Sequence, residues 1–321
     1  MKRWLSLFVL AVVLALSMPT QASAQSCSAL ATNMRFGSVS PISRGEFPAT
    51  STVTVTCTWP ATTQLPSAQI CLNVGRASPR QLLNGTNQLL FDLYSDPGHS
   101  LVWGSTSHGT TPVSFTMTKP ATGTSTTQVV TMYGRISPDQ PAVRTVNNAD
   151  TVYTQVFFGS HTSLNVRFYP QGTGGPCSAQ ATGGTFGFDV GATVINNCNI
   201  SATNITFTSI GLLDTALTAN GAITAQCTNG NAYKITLNGG ANGTLNDRKM
   251  MRSGGGATLG YELYTDTQFT TPWGDGTLGT SPATNTGTGD AQVISVYGRV
   301  PAQSTPAPGT YTDTVTATIS F

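Results

Sequence analysis

Phe186, Phe188, Val190, Ala192 and Val194 take alternate positions near the middle of the chain, with Gly187, Asp189 and Gly191 between them. Side chains of an extended strand point to opposite faces in turn, so this stretch predicts a β-strand with one apolar side. The same alternation closes the sequence, where Val315, Ala317, Ile319 and Phe321 are separated by Thr and Ser. No amphipathic helical period follows residue 25, and abundant Thr and Val with 34 Gly and 18 Pro favour short strands joined by turns. The expected class is all-β.

The pattern also repeats at long range. "FDLYSDPGHSLVWGS" (91–105) parallels "YELYTDTQFTTPWGD" (261–275), and "VVTMYGRIS" (129–137) parallels "VISVYGRVP" (293–301). Upstream, "CSALATNMRFGSVS" from Cys27 matches "CNISATNITFTSIG" from Cys198. Repeats of this length read as two domains of common ancestry rather than solenoid units. Cys27 and Cys57 stand 30 positions apart and Cys198 and Cys227 stand 29 apart, so matched cysteines imply matched bonds. Cys71 and Cys177 have no counterparts and are expected to pair with each other, pinning the interdomain segment to the first domain.

The start of the sequence changes the compartment. A basic Met1-Lys2-Arg3, an apolar run from Trp4 to Met18 and "ASA" at 22–24 read as a secretory leader. Six cysteines in an exported chain point to disulfides. Charged residues make up only 9% of the chain and the net charge is +2, so no basic patch is present for a nucleic acid, and no later stretch predicts a membrane span.

The opening cysteine with Phe36-Gly37, the second cysteine ending a strand, "LYTD" (263–266), "WGDG" (273–276), "VYGR" (296–299) and the closing "GTYTDTVTATISF" (309–321) resemble the spore coat protein U domain family. The resemblance covers nearly the whole chain after the leader, and departs in the first copy at Gly104-Ser105-Thr106 and at "FFGSH" (157–161). Members of this family include subunits of archaic, Csu-type chaperone–usher pili. The resemblance therefore implies two tandem immunoglobulin-like, pilin-type β-sandwiches, the second lacking its last strand. The expected division is a leader at 1–24, an adhesive domain at 25–169, a linker with a donor strand at 170–197, and a pilin-like domain at 198–321.

A sandwich without its last strand exposes a groove and an unpaired edge, which strand addition from a neighbour closes. Phe186, Phe188, Val190, Ala192 and Val194 look like such a donor strand, joined to the first domain through the Gly-rich "PQGTGGP" (170–176), and are expected to complete that domain within the chain. The alternative is an ordinary strand of the second domain. Val315, Ala317, Ile319 and Phe321 are expected to bind a chaperone or a neighbouring subunit. With no donor segment expected before Cys27, the implied place is the fibre tip. The expected partners are a periplasmic chaperone, an outer-membrane usher, an adjacent subunit that donates a strand, and an abiotic or host surface on which biofilm forms. The chain is then exported through the periplasm to the cell surface.

Two connections are longer in the first copy. One, "CTWPATTQLPSAQI", brings Trp59, Pro60, Leu65 and Pro66; the other, "TPVSFTMTKP", brings Val113, Phe115 and Met117. Both are expected at one pole of the sandwich, where apolar loop residues form an adhesive surface. The opposing reading is that Trp59 and Phe115 fold back over the core. Ile42 and Phe47 are weaker candidates, and Trp103, matched by Trp273, is read as structural. A lectin-like tip and a free-standing coat or matrix protein are the competing functions. His99, His108 and His161 lack metal-ligand spacing, and Asp96 with His99 reads as a turn. Asp92 and Glu262 share a place in both copies, which suggests a scaffold role; no enzyme, metal or cofactor is expected.

Overall fold

The computed structural model describes residues 24–172, 174–179 and 181–321, so the expected leader lies outside the described residues. Regular structure is almost entirely β-strand, arranged as two sandwich units in tandem. Strands are numbered in chain order. One sheet of the first unit runs β1 (Ser26–Ala31), β3 (Phe47–Thr58), β8 (Ser125–Ile136), β6 (Asn87–Tyr94), β5 (Arg80–Asn84), β9 (Thr151–Phe157), β12 (Phe188–Val194), β2 (Met34–Val39). The other runs β11 (Ala181–Gly184), β10 (Thr162–Tyr169), β4 (Ser67–Val74), β7 (Val113–Thr118). Inward residues of both sheets form one apolar core.

The second unit repeats this plan with fewer strands. Its larger sheet runs β13 (Cys198–Ala202), β14 (Leu217–Cys227), β19 (Gln292–Val300), β17 (Thr258–Tyr264), β16 (Arg248–Arg252), β20 (Tyr311–Thr312). Its smaller sheet runs β18 (Ala283–Thr286), β15 (Ala232–Leu237), β21 (Ala317–Ser320). Among the described residues it has no counterpart of β2, β11 or β12.

The repeated motifs hold the two units in the same way. Trp103 donates its indole N–H to Leu72 O (2.8 Å) and Trp273 donates to Ile235 O (2.9 Å), so each buried ring crosses to the facing sheet. Asp92 pairs with the buried Arg80, and Glu262 with the buried Arg248. Each arginine also donates to the carbonyl of its tryptophan, Trp103 or Trp273. A charge taken out of water needs such a full set of partners. The glycine of the Tyr-Gly-Arg motif is a close-approach site. A Cβ on Gly134 would meet Phe36 Cζ at 2.9 Å and Met34 Sδ closer still; one on Gly298 would meet Phe207 Cζ at 2.9 Å.

Three disulfides are present, Cys27–Cys57, Cys71–Cys177 and Cys198–Cys227. The first and third join directly opposed residues of neighbouring strands. Cys71–Cys177 ties the turn ahead of β11 to β4.

Only Ile195, Asn196 and Asn197 lie between β12 and β13, and all three are hydrogen-bonded. Ile195 N–H donates to Val39 O (2.9 Å), Asn196 N–H to Asp150 Oδ1 (2.8 Å), and Asn197 O accepts from Thr228 N–H (3.0 Å). Across the joint, Asn148 bonds both the carbonyl and the N–H of Ala232 (3.0 Å each). Arg44 pairs with Asp139 of its own unit and Asp290 of the second.

Candidate strand-binding groove

The segment 186–194 lies in the first unit. β12 is antiparallel to β9, from Phe188 opposite Phe157 to Val194 opposite Thr151, and parallel to β2, with Val190 opposite Met34. Phe186, Phe188, Val190, Ala192 and Val194 are all buried in that unit's core, and the Phe188 ring stacks on Phe157 with centroids 4.8 Å apart. Just upstream, β11 covers the edge of β10, so one short stretch contributes a strand to each sheet. Burying the four larger side chains contributes roughly 6–12 kcal/mol, an upper estimate because unfolded chains are partly compact. That equals the whole net stability of an ordinary domain, about 5–15 kcal/mol. The first unit therefore depends on this strand.

Two polar devices fix its register on the outer face. Asp189 N–H donates to Asn33 Oδ1 (3.0 Å), and the Asp189 carboxylate pairs with Arg35, whose guanidinium also donates to Asp189 O (3.1 Å). Neither Asn33 nor Arg35 was singled out from sequence, although Ala-Thr-Asn appears in both opening motifs.

The same place in the second unit is open. Leu83 follows Arg80 as Met251 follows Arg248, and these residues pair with Thr154 and Thr312. That equivalence puts Tyr311, Asp313 and Val315 where Tyr153, Gln155 and Phe157 stand. On the other wall Ile205, Phe207 and Ile210 match Met34, Phe36 and Val39. Met34, Phe36, Val39, Tyr153 and Phe157 are buried, whereas Ile205, Phe207, Tyr311 and Val315 are only half-buried and Ile210 is 46% exposed. Residues 203–210 belong to no strand. Ala317 and Ile319 lie on β21, whose far edge is unpaired, and Phe321 is exposed. The result is an apolar trough bounded by two unpaired edges. Within it Asp313 accepts the Tyr261 hydroxyl (2.7 Å) and Ala241 N–H (2.9 Å). Burial first, and then the Asp313 carboxylate, push the Tyr261 phenol well above its usual range.

The expected apolar anchors do not project. Trp59 is fully buried, edge-on to Phe168, and Met117 is buried against the Cys57 sulfur (3.6 Å). Val113, Phe115 and Met117 form part of β7, an edge strand, opposite Leu72, Ile70 and Ala68. Their alternation faces the core because burial there stabilises more than exposure on a loop. Pro60, Leu65 and Pro66 are half-buried; Ile42 is buried and Phe47 packs on the core. The two longer connections do meet, with Trp59 N–H donating to Thr124 O and Lys119 N–H to Pro66 O (2.8 Å each). They meet at the Thr58 end of β3, a 12-residue strand whose other end adjoins the joint with the second unit. That end is thus roughly 35–40 Å from the joint, and its exposed residues are Ala61, Thr62, Gln64, Ala121, Thr122, Gly123 and Thr124.

The remaining candidates resolve as scaffold. Asp96 accepts the N–H groups of Ser100 (3.1 Å) and Leu101 (2.7 Å), closing a turn, and His99 packs on Tyr94. Asp266 closes the matching turn through Thr270 and Thr271. Among the described residues no cluster of His, Cys, Asp or Glu could hold a metal ion, and no helix is long and apolar enough to cross a membrane.

The sequence profile of the spore coat protein U domain matches residues 13–155 and 184–318. The chain belongs to the spore coat protein U domain family. The second matched stretch begins at 184 and so takes in the strand that the fold gives to the preceding unit. The chain is 32% identical over 156 residues to Protein U of Myxococcus xanthus, covering 46% of this chain and 79% of that protein. Among solved structures it is similar to a CsuC–CsuE chaperone–tip adhesion subunit pre-assembly complex from archaic chaperone–usher Csu pili of Acinetobacter baumannii. There the TM-score is 0.49 and the identity 16%, over 92% of this chain and 100% of that one. It is also similar to the CupB6 tip adhesin of Pseudomonas aeruginosa, with a TM-score of 0.39 and 10% identity over 92% and 94% of the two chains.

Proposed function

We propose that this protein is the tip subunit of a chaperone–usher fibre, joined to the fibre through its second unit and meeting a surface through its first. One observation carries the reading: the groove that Phe188–Val194 closes in the first unit is open in the second. An open groove with two unpaired edges is an aggregation hazard in water and an acceptor for a strand. During export a periplasmic chaperone covers it; at the outer-membrane usher a strand from the adjacent subunit replaces the chaperone. The first unit, completed by its own chain, needs no such partner, which suits it to the free end. The end built from residues 59–66 and 119–124 lies at the opposite end of β3 from the joint and is the surface offered to an abiotic or host substratum for biofilm growth. Contact there is spread over Pro60, Leu65, Pro66 and their small polar neighbours, without a projecting aromatic anchor.

The test uses the full mature chain, its leader removed, with and without a synthetic peptide copying residues 184–195. The expected result is self-association of the chain alone and a monomer when the peptide is present, read by light scattering on a sizing column. A chain that is monomeric alone and does not bind the peptide would overturn the acceptor role.

A further inference from the structure

The two opening motifs share Ala-Thr-Asn, and both copies fix the Asn in the same place. Thr32 N–H donates to Thr52 O and accepts in return through its hydroxyl from Thr52 N–H; Thr203 does the same with Ala222, every bond at 2.9 Å. In the first unit the next residue, Asn33, uses its side-chain carbonyl to accept Asp189 N–H from the inserted strand. In the second unit Asn204 occupies that position, is exposed, and has no hydrogen-bond partner among the described residues.

We infer that Asn204 is a register clamp for the incoming strand, receiving one backbone N–H of an extended segment from another polypeptide; this rests on the acceptor reading above. The occupant is constrained by the first unit's example. It runs antiparallel to 311–315 and parallel to 205–210, as β12 runs against β9 and along β2. It presents apolar side chains at alternate positions, and the residue whose N–H meets Asn204 points its side chain outward. At that outward position the first unit selects an acid, because Arg35 pairs with Asp189; Thr206 stands in the place of Arg35, so the second unit makes no such demand. A clamp on the backbone sets register without specifying sequence, and a slip by one residue would turn the apolar set out of the trough. The two grooves of one chain are thereby built alike for register and unlike for charge.

The experiment measures binding of two peptides to the full mature chain by fluorescence polarisation. One peptide copies residues 184–195; the other replaces the amide N–H of the residue copied from Asp189 by an ester oxygen, which removes the donor without adding bulk. Wild type is expected to bind the amide peptide about five-fold or more tightly than the ester, the size of one net hydrogen bond. Asn204→Ala is expected to weaken the amide peptide by a similar factor and to abolish the preference, and Asn204→Asp, which keeps an acceptor, to restore it. A preference that persists in Asn204→Ala, or that is missing in wild type, overturns the clamp while leaving the acceptor groove standing. Failure of both peptides to bind any variant overturns the acceptor reading and the clamp with it.

Discussion

Truncating Phe188 to alanine separates the two possible homes of its strand. The ring is 4% exposed, lies in the first unit's core and stacks on Phe157 at an interplanar angle of 6°. Its removal loses the transfer free energy of a buried aromatic, the stacking contribution of about 0.5–1.5 kcal/mol, and packing around the cavity left behind. Buried Phe→Ala changes cost about 3–5 kcal/mol in all. Phe188 opens its strand, so partial collapse of the neighbouring turn sets the lower end of that range. Hydrogen exchange under native conditions is the assay, because it reports each unit separately. Amides of β3 and β8, exchanging through opening of the first unit, should speed up by roughly two to nearly four orders of magnitude, at 1.4 kcal/mol per tenfold. Those of β14 and β19 should hold their wild-type rates. A change below about 1 kcal/mol, or one that falls on β14 and β19, would refute the argument that this strand supplies the stability of the first unit.

Asp92→Ala leaves Arg80 charged and buried and should cost about 3–5 kcal/mol in the first unit's urea transition. Gly134→Ala should cost about 1–3 kcal/mol, because β2 is held by its pairing with β12 and cannot give; Gly298→Ala should cost less until a strand fills the second groove, since residues 205–210 belong to no strand. Asp96 is held below the usual carboxylate range chiefly by Leu101 N–H; desolvation opposes this, and the Ser100 N–H and hydroxyl lower it further. A carboxylate lowered on folding stabilises above its unfolded value and loses that effect as pH falls through the folded one. The thermal midpoint should thus drop below about pH 4, and less steeply in Asp96→Asn. Replacing Cys71 and Cys177 together by alanine releases a loop of 106 residues and should lower stability by about 2–5 kcal/mol in calorimetry or urea.

Much of this was legible in the chain. Phe186 to Val194 read as a strand with one buried face because a period of two has no other simple origin. The repeat tied Trp103 to Trp273 and Asp92 to Glu262, and in each pair the two residues have the same structural role. The second long connection shows what local reading misses. Val113, Phe115 and Met117 alternate as a strand should, yet in a stretch rich in Thr, Ser and Pro they look equally like an apolar loop, and only the pairing of β7 with β4 turns them inward. Trp59 is the same case at one residue: exposure is a property of what surrounds a side chain, and the sequence carries the side chain alone.

By itself the sequence determined the class, the duplication, the strand periodicity and the cysteine symmetry, all of which follow from local chemistry or from comparing one half of the chain with the other. Tertiary structure decided which core the strand at 188–194 enters, that residues 205–210 and 311–315 form two walls with no strand between them, and that Asn33 is engaged where Asn204 is not. The physical reason is that alternation fixes which face of a strand is apolar, whereas the choice of partner depends on hydrogen bonds and burial between residues more than 150 positions apart, such as Asn33 and Asp189.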